Sequence, residues 1–226
     1  MDSRSNTPYR WKPSNMRDDI DRWYEELSFE PEVAFVVMAR CGAEVTELDK
    51  PFACPLPGHR KTRSSAELRL NRNKRVMFHD LHAVEGDNNQ WFTLPEVYAA
   101  CCNPSNRKRR VQRLTRGEQA IWWIRAMVEC GIVEAPPPPE GKLELPEDTL
   151  PDARIVYEGF CFRLQLGGLY EQGQKATPFA KRFAMRWLGI GKIKFRTGFD
   201  WLLNHGYVVG GETKWNSELY ELGVSI

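Results

Sequence analysis

The sequence predicts an α+β chain made of two units in succession, and three observations lead there. Residues 52–82 hold short alternating apolar stretches separated by turn residues, a β-hairpin signature, with segments of helical periodicity on either side. From 136 to 151 prolines and acids interrupt every periodicity. Beyond that stretch the order is helix, helix, helix, strand, strand. The division that follows is a polar segment over 1–30, a first unit over 31–135, a proline-rich linker over 136–151 and a second unit over 152–226.

Residues 1–15 are polar with two prolines and are expected to be disordered. A short acidic helix is expected over 18–27, with Ile20, Trp23, Tyr24 and Leu27 on one face. Pro31 suits the first position of a helix over 32–40, whose apolar residues are Val33, Ala34, Val36 and Val37, and Gly42 suits its cap. Leu68 and Leu70 alternate with Arg69 and Asn71, predicting a strand, and 75–78 reads as its partner across a turn at 71–74. Thr93, Pro95 and Glu96 open a further helix with a capping box, and its apolar face carries Leu94, Val97, Tyr98 and Cys101. A basic run over 106–116 leads into a helix over 118–130, ended by Gly131. Its paired Trp122 and Trp123 are flanked by Ile121 and Ile124, which predicts core.

In the second unit a helix is expected over 154–166. Thr177 and Pro178 read as the cap and first turn of a second helix ending at Leu188. Gly189 and Gly191 form the turn into a third helix, from about Lys192 to His205, stopped by Gly206. Strands over 207–209 and 219–222 close the unit, joined by Gly210, Gly211 and a polar loop.

Composition excludes several classes. No apolar run approaches the ~18 residues of a membrane span, and the polar N-terminus has no secretory pattern. A cytoplasmic protein is expected, with its six cysteines reduced. The net charge of +2 conceals segregation: residues 1–53 carry −4, 54–116 carry +8, 117–150 carry −5 and 151–226 carry +3. A local excess of this size can steer a polyanion despite the small total. The chain has no Gly-Lys-Ser/Thr phosphate loop and no nucleophile elbow, and Gly189-Ile190-Gly191 lacks the strand a dinucleotide site needs. No enzyme activity and no small-molecule substrate are expected.

Cys54, His59, His79 and His82 form the ligand string Cys-x4-His-x19-His-x2-His. Zinc takes four nitrogen or sulfur ligands in a tetrahedron, often as two close pairs on adjacent turns, and a hairpin between the pairs brings such turns together. Asp80 is an alternative to His79 as the fourth ligand. The role expected of the metal is structural, because no helical His pair with a Glu base is present.

The stretch Pro51-Phe-Ala-Cys-Pro-Leu-Pro-Gly-His59, then Ser64-Ser-Ala-Glu-Leu68 and Met77-Phe-His-Asp-Leu-His82, resembles the Cys-His-Cys-Cys zinc-binding domain of bacterial replicative primases over residues 31–101. Here His79 and His82 stand where that domain has its second cysteine pair, and the first ligand spacing is longer. With Phe92-Thr-Leu-Pro-Glu-Val-Tyr-Ala99, Tyr157-Glu-Gly-Phe160 and Leu219-Tyr-Glu-Leu-Gly223, the whole chain is similar to uncharacterised proteins of actinobacterial phages and mobile elements that join such a module to a helix-turn-helix. The resemblance implies a zinc-ribbon-like β module with flanking helices followed by a winged-helix domain. It also implies DNA binding in replication or element control, with other replication proteins of the element as possible partners. Primase catalysis needs acidic metal-binding residues in a separate domain, and nothing after residue 101 resembles one.

The third helix of the second unit is the candidate reader of DNA. Phe195, Phe199 and Leu202 share one face, which turns Lys192, Lys194, Arg196, Thr197 and Trp201 towards the other. Lys181, Arg182 and Arg186 on the second helix are placed to reach phosphates, with Lys214, Trp215 and Asn216 in a wing. Arg107, Lys108, Arg109 and Arg110, with Arg113 and Arg116, form a second candidate phosphate-binding run. Two other functions are expected as alternatives: the template-recognition subunit of a primase, or a winged-helix module docking on a host protein.

Overall fold

The computed structural model describes residues 30–58, 65–81, 91–103, 111–169, 175–214 and 217–223. The expected helix over 18–27 lies outside them. The protein is an α+β chain with six helices and two three-stranded antiparallel sheets among these residues. It divides into two compact units, with the boundary between Glu134 and Ala135.

In the first unit α1 spans Pro31–Arg40, with Pro at its start. It closes through Gly42 in the left-handed conformation (φ 86°), whose freedom from a Cβ permits the turn. Ala34, Val37 and Met38 are its buried residues. Strand β1 (Ala66–Leu70) pairs with β2 (Val76–Asp80), with Leu68 opposite Phe78. Between them Asn71 Oδ1 accepts from the backbone N–H groups of Asn73 and Arg75, holding the turn that polar residues at 71–74 predict. A third strand that periodicity did not predict, β3 (Trp91–Thr93), pairs along the other edge of β2. Three residues are too few to display an alternation.

Helix α2 (Leu94–Cys101) follows β3 without a gap. Glu96 accepts from the Thr93 N–H at 3.0 Å within the expected capping box. Helix α3 (Arg116–Glu129) begins two residues earlier than periodicity predicts. Its cap is Thr115, whose Oγ1 accepts from the Glu118 N–H while the Glu118 carboxylate accepts from the Thr115 N–H at 2.9 Å. Trp122 and Trp123 are fully buried, as their flanking isoleucines predict.

In the second unit α4 spans Pro151–Gly167, three residues longer at its start than predicted. The proline-rich stretch expected as a linker belongs to this unit and lies along α4. The Pro136 carbonyl accepts from Gln165 Nε2, the Leu143 N–H donates to the Tyr157 hydroxyl at 2.8 Å, and Lys142 pairs with Glu158 at 2.7 Å. A proline-rich segment has few N–H donors of its own, so its carbonyls are free to take side-chain donors from the helix.

Thr177 and Pro178 do not cap a helix. They lie in β4 (Ala176–Pro178), and α5 runs Lys181–Leu188. Pro178 is tolerated there because β4 is an edge strand, pairing with β6 alone. Helix α6 spans Lys192–Asn204. Strands β5 (Val208–Lys214) and β6 (Ser217–Leu222) make a hairpin that takes up most of the expected polar loop, with a register shift between Gly210 and Thr213. The sheet order is β4-β6-β5.

Phe179 is central to this core. Its ring meets those of Phe160, Phe183, Phe195 and Phe199 at centroid distances of 5.2 to 6.4 Å. Helix α6 approaches α4 through Gly198, where a Cβ would come within 2.6 Å of the Asp152 carbonyl carbon.

Candidate nucleic-acid interface and metal centre

The exposed side of α6 has a definite order. Phe195, Gly198, Phe199 and Leu202 are buried, which sends Ile193, Arg196, Thr197 and Asp200 to the opposite stripe at helical spacings of three and four. Lys192 and Lys194 lie on either side of that stripe, both exposed. Arg196 Nε reaches Asp200 at 3.3 Å, an exposed i,i+4 pair. Lys181 and Arg182 are exposed in the first turn of α5.

The charge pattern of the helix starts separates these two helices from the others. Helices α1, α2, α3 and α4 each carry an acid in the first turn: Glu32, Glu96, Glu118 and Asp152. Helices α5 and α6 carry none, and bases occupy those positions. Each cation beside the positive end of a helix dipole costs about 0.3–1 kcal/mol at an exposed site. Neither helix has a side-chain N-cap. An arrangement unfavourable for the isolated domain becomes favourable when a polyanion lies against it.

Other expected contributors are placed differently. Arg186 is buried and does not face solvent with Lys181 and Arg182. It follows the half-buried Phe183 by three residues and adjoins the buried Trp187, so it turns inward with that side of α5. Trp201 is half-buried, stacked on His205 at 4.0 Å and on Tyr207 at 5.6 Å. Arg113 is a structural residue. It pairs with buried Glu96 at 2.8 Å, donates to the Trp91 carbonyl and lies over the Phe92 ring. Arg107, Lys108, Arg109 and Arg110, Trp215, Asn216 and the Lys214 side chain lie outside the described residues.

Of the metal string, His59 and His82 also lie outside them. Cys54 is buried, and its N–H donates to Ser65 Oγ at 2.8 Å. Phe52 bridges to Ala66, which pairs with Asp80, so these three side chains share the sheet face that also carries Phe78. His79 is on the other face. It forms a cross-strand row with Glu67 and Trp91: Nδ1 lies 2.7 Å from Glu67 Oε1, and the ring stacks on Trp91 at 4.2 Å. The carboxylate at Nδ1 fixes the orientation of the ring. The pleat turns it away from Asp80. Among the described residues no group of three or more His, Cys, Asp or Glu is arranged to hold a metal.

Sequence reasoning missed Glu67, the partner of His79, and Ile193. Glu67 precedes the alternation of Leu68 and Leu70 with Arg69 and Asn71, and Ile193 falls outside the face defined by Phe195, Phe199 and Leu202, so neither pattern marks them. Among the described residues no helix is long and apolar enough to cross a membrane. Protein-family models, curated proteins and solved structures yield no match to the chain.

Proposed function

We propose that the protein is a cytoplasmic, non-enzymatic DNA-binding protein whose second unit is a winged helix, with α6 as the recognition helix in the major groove. The observation that carries the reading is the outward side of α6, where Arg196 and Thr197 stand opposite a buried Phe195-Phe199-Leu202 face and exposed Lys192 and Lys194 flank them. The order α4, β4, α5, α6, β5, β6 and the sheet order β4-β6-β5 support it, since this is the succession in which a recognition helix is followed by a hairpin wing. Lys181 and Arg182 supply phosphate contacts, as do Arg107, Lys108, Arg109, Arg110 and Lys214 in this reading.

For the first unit the proposal is a zinc-ribbon-like module. Cys54, His59 and His82 bind one structural zinc with Asp80 or His79 as the fourth ligand, and the shared face of Phe52 and Asp80 favours Asp80. The resemblance to primase-type modules of phages and mobile elements supports a role as a replication accessory factor or regulator.

The test is an anisotropy titration of the full chain against labelled duplex and single-stranded DNA at two salt concentrations. Duplex binding should weaken with salt. Lys181→Ala with Arg182→Ala should reduce the slope of log affinity against log salt concentration by roughly 0.9 for each phosphate interaction removed, whatever the sequence. Arg196→Ala with Thr197→Ala should reduce discrimination between sequences, each good base contact being worth about 1–3 kcal/mol. A folded double variant with unchanged affinity and unchanged preference removes α6 from the interface.

A further inference from the structure

We infer that Ile193 reads the C5 methyl group of thymine in the major groove, an inference that rests on the DNA-binding reading of α6. Among the described residues the other exposed large hydrophobic side chains are 37 to 48% accessible, and Ile193 is 81% accessible. Its neighbours in sequence are both lysines. On a helical wheel Ile193 lies about 180° from Leu202, which is fully buried, so it occupies the crest of the outward face. Lys192 and Lys194 lie about 100° to either side of it.

That arrangement matches the cross-section of a major groove. Two phosphate backbones form its walls and base edges form its floor. Lysines on the flanks meet the walls, and the crest meets the floor. The crest holds Ile193, Arg196, Thr197 and Asp200, one apolar side chain and three able to hydrogen-bond, with Arg196 and Asp200 paired at 3.3 Å. Base edges in the groove offer donors, acceptors and one apolar group, the thymine methyl. A branched aliphatic side chain has no hydrogen bond to offer, so that methyl is the base feature it can recognise. The lysines make an apolar protein surface a poor alternative occupant, because burying them against it would strip two charges of water.

The experiment begins with selection of a preferred duplex from a randomised library by the full chain. Each thymine of the selected duplex is then replaced in turn by deoxyuridine, which lacks only the methyl. At one or two positions the replacement should weaken wild-type binding about threefold to fourfold, the factor for one buried methyl. Ile193→Ala should bind the thymine and uracil forms alike at those positions. Lys192→Ala should weaken both forms and keep the difference between them. No binding to any duplex would overturn the DNA-binding reading and this inference together, and binding without enrichment would overturn this inference alone. Enrichment with no uracil effect, or a uracil effect that persists in Ile193→Ala, would overturn this inference alone. Ile193 lies outside the core, so a circular-dichroism spectrum matching the wild type is expected for the variant.

Discussion

At the scale of single residues, close packing at Gly198 and the burial of two thiols have separate consequences. Gly198 lets α6 lie against the first turn of α4, and a methyl there would overlap the Asp152 carbonyl and come within 2.9 Å of the Ala153 nitrogen. These are backbone atoms that cannot rotate away. Gly198→Ala should therefore lower stability by about 1–3 kcal/mol despite the better helix propensity of alanine, as a denaturant titration will show. The second case is a set of thiols. Burial pushes Cys102 and Cys130 from an ordinary 9.0 up to about 11. Because the folded state prefers the protonated thiols, their contribution is complete below pH 9.0 and is lost as pH rises towards about 11. Melting temperature should fall across that interval, and Cys102→Ser with Cys130→Ser should reduce the fall. The sequence offered His79 or, since a carboxylate oxygen also binds zinc, Asp80 as the fourth ligand. Register decides between the faces, and register depends on the pairing of β1 with β2 and of Phe52 with Ala66, which no single stretch of sequence displays. Glu96 is a similar case. Its capping role was legible from Thr93 three residues before it, but its bonds to Arg113 and to the Leu114 N–H come from a segment far along the chain.

At the scale of elements, local chemistry decided what could be read. Helix α1 was legible because Pro31 and Gly42 punctuate both ends, and the β1–β2 hairpin because its turn residues are polar and its strands alternate. Strand β4 was not, since Thr177-Pro178 is as good a helix start as a strand end, and only pairing with β6 distinguishes the two. The proline-rich stretch misled for a related reason: composition reports the absence of internal structure and says nothing of docking. Its attachment to α4 can be loosened by design. Tyr157→Phe removes the acceptor of the Leu143 N–H, and Gln165→Ala removes the donor to Pro136. Each should cost about 0.5–1.5 kcal/mol. In the double variant limited proteolysis should cleave within 136–150 faster than in the wild type.

At the scale of the whole molecule, two units with separate cores carry two proposed tasks. If zinc is part of the first unit's fold, its removal unfolds that unit and leaves the second intact. Elemental analysis should return about one zinc per chain. Chelation should then split the thermal transition, with the aromatic core around Phe179 melting as before. A zinc-free preparation with a single unaltered transition would rule the metal out. The architecture of the second unit has a different consequence wherever copies of the chain meet at high concentration. A three-stranded sheet has two open edges, and each is a template on which another chain can add a strand. Here β4 is three residues long and ends in Pro178, and β5 loses its register between Gly210 and Thr213. Neither edge offers an unbroken ladder on which a second copy could add a strand.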